Sequence, residues 1–173
     1  MRRLALGLLA FLVAGAVGHA GTLWLLPRVI MGKAMSRIET DIGANRALRP
    51  PLADHMARSI VMPSPDIAYV VCVYDIKTQP LEIRAETLPP SYWSMALYGA
   101  NTDNFLVIND RTVGTMPFRL LLSSRPQPAD GLPSVHPPSE RGIVLFRTFV
   151  ADRAAMPAID RYRAGMSCHP YQP

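Results

Sequence analysis

The stretch IAYVVCVY at residues 67–74 decides the fold, because it is a continuous run of apolar, β-branched and aromatic residues. A run of this kind without a polar face predicts a strand buried on both faces, at the centre of a sheet. The turn-forming residues MPSPD precede it at 62–66, and a second turn follows at 75–80. Residues 81–86, LEIRAE, then alternate apolar and charged side chains, which predicts a strand with one face in water.

The rest of the C-terminal part has the same strand-like sequence pattern. Further strands are predicted at residues 92–98, 105–109, 118–123 and 142–150. Five prolines in residues 125–141 predict a long loop. Near the end, Asp152 is placed to cap a short helix that carries Met156, Ile159 and Tyr162 and ends at Gly165.

The N-terminal part is different, because the apolar run that begins at Leu4 and ends at Leu26 contains no charged residue. As a helix its 23 residues extend about 35 Å, enough for a hydrocarbon core of about 30 Å. The whole chain of 173 residues is 49% apolar, high for a soluble domain, while its 17 prolines are too many for a helical membrane bundle. Most of the apolar excess lies in this run, which predicts a transmembrane anchor over residues 1–27 and contact with the lipid bilayer.

A cleaved signal peptide is the alternative interpretation of the same residues. Arg2 and Arg3 resemble its basic start, and Gly18-His19-Ala20 resembles a cleavage site, so the chain would be secreted after cutting near Ala20. The apolar run continues beyond Ala20 through Trp24, a residue type common at membrane interfaces, which favours the anchor.

The net charge of +5 lies entirely in residues 1–58, which hold eight basic and three acidic residues. Residues 59–173 hold ten of each sign, and a neutral domain argues against a nucleic-acid partner. A short basic N-terminus before one span usually remains in the cytoplasm. The expected location is therefore the cytoplasmic (inner) membrane, single-pass, with the main domain outside it and, in a bacterium with two membranes, in the periplasm.

A stalk helix is predicted after the span, because Met31, Met35, Ile38 and Ile42 follow helical spacing. This helix should end by Arg49, since Pro50 and Pro51 follow, and a second short helix is predicted over residues 52–59. Residues 28–61 are thus a stalk and linker, and residues 62–173 a strand-rich extracytoplasmic domain. The fold class is α+β: a transmembrane helix and a stalk helix, then a mostly antiparallel sheet with a short C-terminal helix.

Residues 92–111, YWSMALYGANTDNFLVINDR, resemble the signature of an uncharacterised bacterial membrane or envelope family, the domain of unknown function 1254 family. The preceding DIAYVVCVYDIKTQPLEI at residues 66–83 is similar to the paired strands of that family. The resemblance implies a β-rich fold, often in a short membrane-anchored form, frequently beside a second domain or a neighbouring protein. It implies no catalytic residue set.

The polar segment between two of the predicted strands is the candidate binding site. Asparagine and aspartate tolerate left-handed backbone angles, so this segment is typical of a hairpin connection. A functional interpretation makes it a polar ligand pocket. The residues of that pocket are Tyr98, Asn101, Asp103, Asn104 and Asp110.

Catalytic and metal motifs are absent from the sequence. No G-x-S-x-G, P-loop or G-x-G-x-x-G pattern occurs, and the four histidines lie apart, so no cofactor and no metal are expected. Cys72 and Cys168 have two interpretations: a disulfide formed in an oxidising compartment, or a buried residue and a free thiol.

Two functions therefore remain open. The preferred one is a membrane-anchored accessory or interaction module whose partner is a neighbouring envelope protein. The alternative is an envelope enzyme or a small-ligand-binding domain that uses the polar residues near Tyr98.

Overall fold

The computed structural model describes residues 2–54, 56–57, 63–124 and 131–172. It confirms the α+β class, with a long N-terminal helix, mostly antiparallel strands and a short C-terminal helix. The helices are α1 (Arg2–Ile42), α2 (Asp110–Val113) and α3 (Met156–Ala164), with a 3-10 turn at Arg153–Ala155. The strands are β1 (Ala47–Leu48), β2 (Ile67–Asp75), β3 (Leu81–Ala85), β4 (Trp93–Gly99), β5 (Asn104–Asn109), β6 (Phe118–Leu122), β7 (Ser134–Val135), β8 (Arg141–Phe149) and β9 (Met166–Pro170).

The strands form two sheets, where the sequence had indicated one. The larger sheet has the order β1-β2-β8-β4-β5 and is antiparallel throughout. The smaller sheet has the order β7-β6-β3-β9, and its β6–β7 pair is parallel. Strands β1, β7 and β9 were not predicted, because two are only two residues long and β9 has the sequence MSCHP, which lacks β-branched residues. Strand β9 is stabilised by its pairing with β3 and not by the strand preference of its own residues.

One hydrophobic core lies between the two sheets and joins them. Alternate residues of β2, β4 and β8 point into it from the larger sheet, and alternate residues of β3, β6 and β9 from the smaller one. Its largest fully buried side chains are those of Trp93, Tyr74, Phe146, Leu81, Ile83, Met95, Leu97, Leu122 and Met166.

Helix α1 covers the other face of the larger sheet. Met31, Met35 and Ile38 are buried against Val73 and Ile143, so the predicted amphipathic stripe packs on its own domain. This packing explains why residues 67–74 are apolar without interruption: one face of β2 meets the core and the other meets α1.

The helix differs from the prediction in its extent. It runs without a break from Arg2 to Ile42, through Pro27, so the segments predicted as anchor and stalk form one helix. It ends at Ile42, before the limit predicted at Arg49, because Gly43 and Asn45 have left-handed φ angles of +79° and +59°. The Asn45 side chain then bonds both the N–H and the C=O of Asp75, each at 2.8 Å, which turns the chain into β1.

Two predictions concern the described chain only in part. A short helix is predicted over residues 52–59, but residues 52–54 and 56–57 are not helical. His55 and residues 58–59 lie outside the described chain. Of the loop predicted over residues 125–141, residues 125–130 lie outside the described chain, and residues 134–135 form β7.

Asp152 caps the 3-10 turn that leads into α3, since its carboxylate accepts a hydrogen bond from the N–H of Ala154 at 2.9 Å. Helix α3 itself begins after Ala155, which forms no side-chain cap. Gly165 follows the end of α3. Two arginines then fix this helix to the sheets. Arg163 is buried and donates to the carbonyl of Tyr69 at 2.9 Å, and Arg49 donates to the carbonyls of Arg163 at 2.8 Å and Met166 at 2.7 Å.

Close packing in the larger sheet depends on Gly142. A Cβ atom at this position would lie 2.0 Å from the carbonyl oxygen of Tyr98 and 2.5 Å from the hydroxyl oxygen of Tyr74. Burial raises the pKa of Tyr74 to about 12, so its side chain is neutral under ordinary conditions. Only glycine leaves room for this neutral hydroxyl beneath β8.

Cys72 and Cys168 are joined by a disulfide in the structure, with their Cα atoms 6.7 Å apart. Cys72 lies on β2 and Cys168 on β9, so the bond links the two sheets across the core. That the bond forms in the cell stays a prediction.

We expect the change of Cys72 and Cys168 to alanine to lower the free energy of unfolding by up to about 4 kcal/mol, because the two residues close a loop of 96 positions. Thermal unfolding of the purified protein with and without reductant measures this. Reductant should lower the midpoint of the wild type and leave the double alanine variant unchanged. Two thiols that alkylate freely in unreduced protein taken from cells would contradict the disulfide.

Candidate functional site

The predicted polar site begins with the turn between β4 and β5. The N–H of Gly99 donates to the carbonyl of Asp103 at 2.9 Å, and Thr102 takes a left-handed φ of +73°. The Asn101 amide donates to the Asp103 carboxylate, and the N–H of Asp103 donates to the Asn101 side chain at 3.3 Å. These polar groups therefore satisfy one another and the local backbone, as a hairpin connection requires.

The structure brings together four of the five predicted site residues. Tyr98 and Asn104 are register partners beside the turn, on the face of the sheet that α1 covers. Asp110 lies at the other end of β5, six residues away and therefore about 20 Å along the strand. There Asn109 caps α2 by accepting from the N–H groups of Arg111 and Thr112. Asp110 does not join the other four, and ligand binding by any of them stays a prediction.

A cavity of about 310 Å³ lies beside this turn, between the turn and α1. The hydroxyl of Ser139 accepts from the N–H of Ala100 at 2.8 Å and donates to the carbonyl of Arg141 at 2.7 Å. The Arg28 guanidinium lies 4.2 Å from the centre of the Trp24 ring. Most polar groups of the cavity thus have protein partners. Its lining residues are Arg28, Met35, Ala100, Asn101, Pro138 and Ser139.

A second cluster, which the sequence analysis did not identify, lies on the outer face of the smaller sheet. Glu82 is only 1% exposed, and its carboxylate forms ion pairs with Arg84, at 2.6 Å, and with Arg119. Arg84 bonds both carboxylate oxygens, through Nε to Oε1 and through Nη2 to Oε2. The alternation LEIRA shows that Glu82 and Arg84 share a face, but only the register of β3 with β6 brings Arg119 opposite Arg84.

The ionisation of Glu82 depends on these two arginines. Burial alone would raise the pKa of this carboxyl group, but the hydrogen bonds and charges of Arg119 and Arg84 outweigh it and lower the pKa from 4.5 to about 2. Glu82 therefore stays charged at any physiological pH, and it holds both guanidinium groups in place.

Two further kinds of site concern metal binding and serine. In residues 2–54, 56–57, 63–124 and 131–172, no group of three or more His, Cys, Asp and Glu side chains could hold a metal ion. Ser94 is buried on β4 and bonds the Tyr92 hydroxyl at 3.1 Å. The Glu82 cluster can bind charged or polar groups through its arginines, and the hydroxyl of Ser94 has a hydrogen-bond partner within the protein.

The fold and these clusters define a class of protein: an apolar N-terminal helix joined to a two-sheet α+β domain. Residues 44–170 match the model of a family described as a protein of unknown function, DUF1254, and since this is more than half of the chain, the protein belongs to that family. No protein of curated function matches the chain.

Two solved structures are similar to this chain, and the first of them shares its fold. The VPA0106 protein of Vibrio parahaemolyticus superimposes with a TM-score of 0.64 at 12% identity, over 86% of this chain and 36% of its own. An uncharacterised protein of Burkholderia cenocepacia gives a TM-score of 0.48 at 12% identity, over 74% of this chain and 34% of its own. The chain thus spans about a third of the length of these relatives.

We expect Glu82→Gln to lower the free energy of unfolding by about 2 kcal/mol at pH 7, because it leaves two arginines without their shared charge. This value is below the full effect of the pKa change, since both arginines are partly exposed to water, which screens the pair. The carboxyl group has a lowered pKa in the folded state, so its contribution is complete above about pH 4.5 and is lost as the pH falls toward 2.

Denaturant titrations of the wild type and of Glu82→Gln between pH 7 and pH 2.5 measure this effect. The difference between the two proteins should shrink as the pH falls. Glu86→Gln changes an exposed carboxylate four positions after Glu82, just beyond the end of β3; it is the matched control and should change stability little. A difference that stays constant with pH would show that the charge of Glu82 is not responsible.

Proposed function

We propose that the protein is a membrane-anchored extracytoplasmic accessory or interaction module, held by α1 in the cytoplasmic membrane. The observation that carries this proposal is the form of α1. It is the one helix among the described residues that is long and apolar enough to cross a membrane, with a mean hydropathy of 1.9 over 18 residues, none of them buried. Apolar side chains without protein contact need another apolar environment, and a bilayer supplies it.

The second half of the same helix supports coupling of the anchor to the domain. Met31, Met35 and Ile38 pack on the larger sheet, and Glu39 forms an ion pair with Arg141, which in turn contacts Asp75 at 3.2 Å. Because one helix contains both the apolar half and the packed half, the domain would be held close to the membrane surface.

The orientation is inferred from charge and redox chemistry. Arg2 and Arg3 precede the span, as is usual for a cytoplasmic N-terminus. A disulfide between Cys72 and Cys168 suits an oxidising compartment such as the periplasm. Secretion after cleavage near Ala20 is the alternative, and it would leave the exposed Leu23, Trp24 and Leu25 at a free end.

The length of a protein with the same fold supports a neighbouring envelope protein as the partner. The Vibrio protein carries this fold in 36% of its chain, so the fold occurs there beside further polypeptide. A neighbouring protein beside this domain would occupy the corresponding place.

The second candidate function is an envelope enzyme or a small-ligand-binding domain acting near Tyr98, Asn101, Asp103 and Asn104. The cavity of about 310 Å³ beside the turn supports it. A fragment screen by ligand-observed NMR with the wild type and Arg28→Gln tests it. Fragments that lose binding in the variant would favour this function, and the absence of any binding would remove it.

For the membrane anchor, we expect the double change Val13→Arg and Val17→Arg to release the protein from membranes. Each arginine near the centre of the span costs about 3 kcal/mol. Alkaline carbonate extraction of the membrane fraction measures the release. Val29→Arg with Ile30→Arg is the matched control, because both residues are exposed on α1 beyond the apolar run and beside Arg28. Equal release of both variants, or extraction of the wild type, would contradict the anchor.

Orientation and cleavage are tested separately. A reporter fused after Pro173 should be active outside the cytoplasm, and mass analysis of the mature protein should retain Arg2 at its N-terminus. A mature chain that begins at Gly21 would establish the secreted alternative.

A further inference from the structure

A groove of about 590 Å³ lies at the margin of the smaller sheet, where β3 ends and β6 begins, and none of its lining residues belongs to α1. Ligand sites commonly have volumes of about 300 to 1,000 Å³, mainly apolar walls and a few fixed polar groups. This groove has that composition, with apolar side chains around two arginines. Its walls are formed mainly by Phe118, Pro117, Pro133 and Leu132, and its charged residues are Arg84, Arg119 and Glu86.

The arginines are unusual in their arrangement. Arg84 and Arg119 are directly opposite each other in the register of β3 and β6, where like charges repel. Both contact the buried carboxylate of Glu82, so the pair is held together by one acidic side chain beneath it. Such support fixes the guanidinium groups before a ligand arrives, which lowers the entropic cost of binding.

Arg84 retains binding capacity. Its Nε and Nη2 atoms bond Glu82, whereas Nη1 has no hydrogen-bond partner in the part of the chain that the structure describes. The side chain is 36% exposed and lines the groove. A planar guanidinium group with an available N–H edge recognises a carboxylate well.

We propose that this groove binds a small monocarboxylate with an apolar chain, with Arg84 bonding the carboxylate and Phe118, Pro117 and Pro133 receiving the chain. The apolar walls give no advantage to an inorganic anion, and the nearby Glu86 disfavours a ligand with several negative charges. The proposal goes beyond the function proposed above, since the groove lies apart from α1 and does not require membrane attachment.

Isothermal titration calorimetry of the full chain in lipid nanodiscs tests the proposal, with empty nanodiscs as the blank. The probes are hexanoate, hexanol with the same chain and no charge, and acetate with the charge and no chain. Hexanoate should bind with a dissociation constant on the order of 0.1 to 1 mM, and both other probes should bind at least tenfold more weakly. Equal binding of hexanol would show a merely apolar surface, and equal binding of acetate would show nonspecific anion binding; either result would overturn the proposal.

Three variants locate the binding. Arg84→Gln should weaken hexanoate binding at least tenfold, and Glu86→Gln should strengthen it about two- to threefold, because a repelling charge is removed. Arg111→Gln, an exposed arginine on α2, is the matched control and should leave binding unchanged. Near-UV circular dichroism verifies that each variant is folded. If Arg84→Gln does not fold, the Glu86→Gln variant still tests the proposal, because Glu86 is exposed. An unchanged affinity of Glu86→Gln for hexanoate would refute the proposal.

Discussion

The pairing of β2 with β8 is the constraint on which the rest of the structure depends. Nine residues of each strand pair in antiparallel register, and both faces of this ladder are covered. One face carries Val70, Cys72 and Phe146 into the core, and the other carries Val73 and Ile143 against α1. Because side chains alternate along a strand, a shift of one residue would exchange these two sets and place Cys72 beyond reach of Cys168. The core, the helix contact and the disulfide therefore all require the same register.

The two sheets differ in what covers their outer faces. On the larger sheet α1 provides an apolar cover, fixed by the ion pair of Glu39 with Arg141. On the smaller sheet the outer face holds charge, where one buried carboxylate supports two arginines beside a groove. An anchored protein with this arrangement would present its charged face away from the helix that holds it. The surface that attaches the domain and the surface that could bind a ligand are then separate.

Local sequence patterns were sufficient to predict the features that depend on residues close together in the chain. The apolar run before Pro27, the continuous strand around Cys72 and the Asp152 cap are each set by neighbouring residues, and the sequence predicted them. The division into two sheets, β9 and the Glu82 cluster depend on pairing between residues 30 to 90 positions apart. Asp110 was grouped with Asn101 although the strand predicted at residues 105–109 lies between them, and an extended strand separates the residues at its two ends. The prolines at 50 and 51 set only the latest possible end of α1, whereas Gly43 sets the actual end at Ile42.

The order of the strands also determines when the domain can be completed during synthesis. The early strands β2 and β3 each take a partner from the last third of the chain, β8 and β9 respectively. Until residues 166–170 have been made, β3 has an open edge and Cys72 has no partner. Contacts this distant in sequence form slowly, and an exposed strand edge is prone to aggregation. In an anchored chain, α1 is made before the strands and would hold the unfinished domain at the membrane until residues 166–170 have been added.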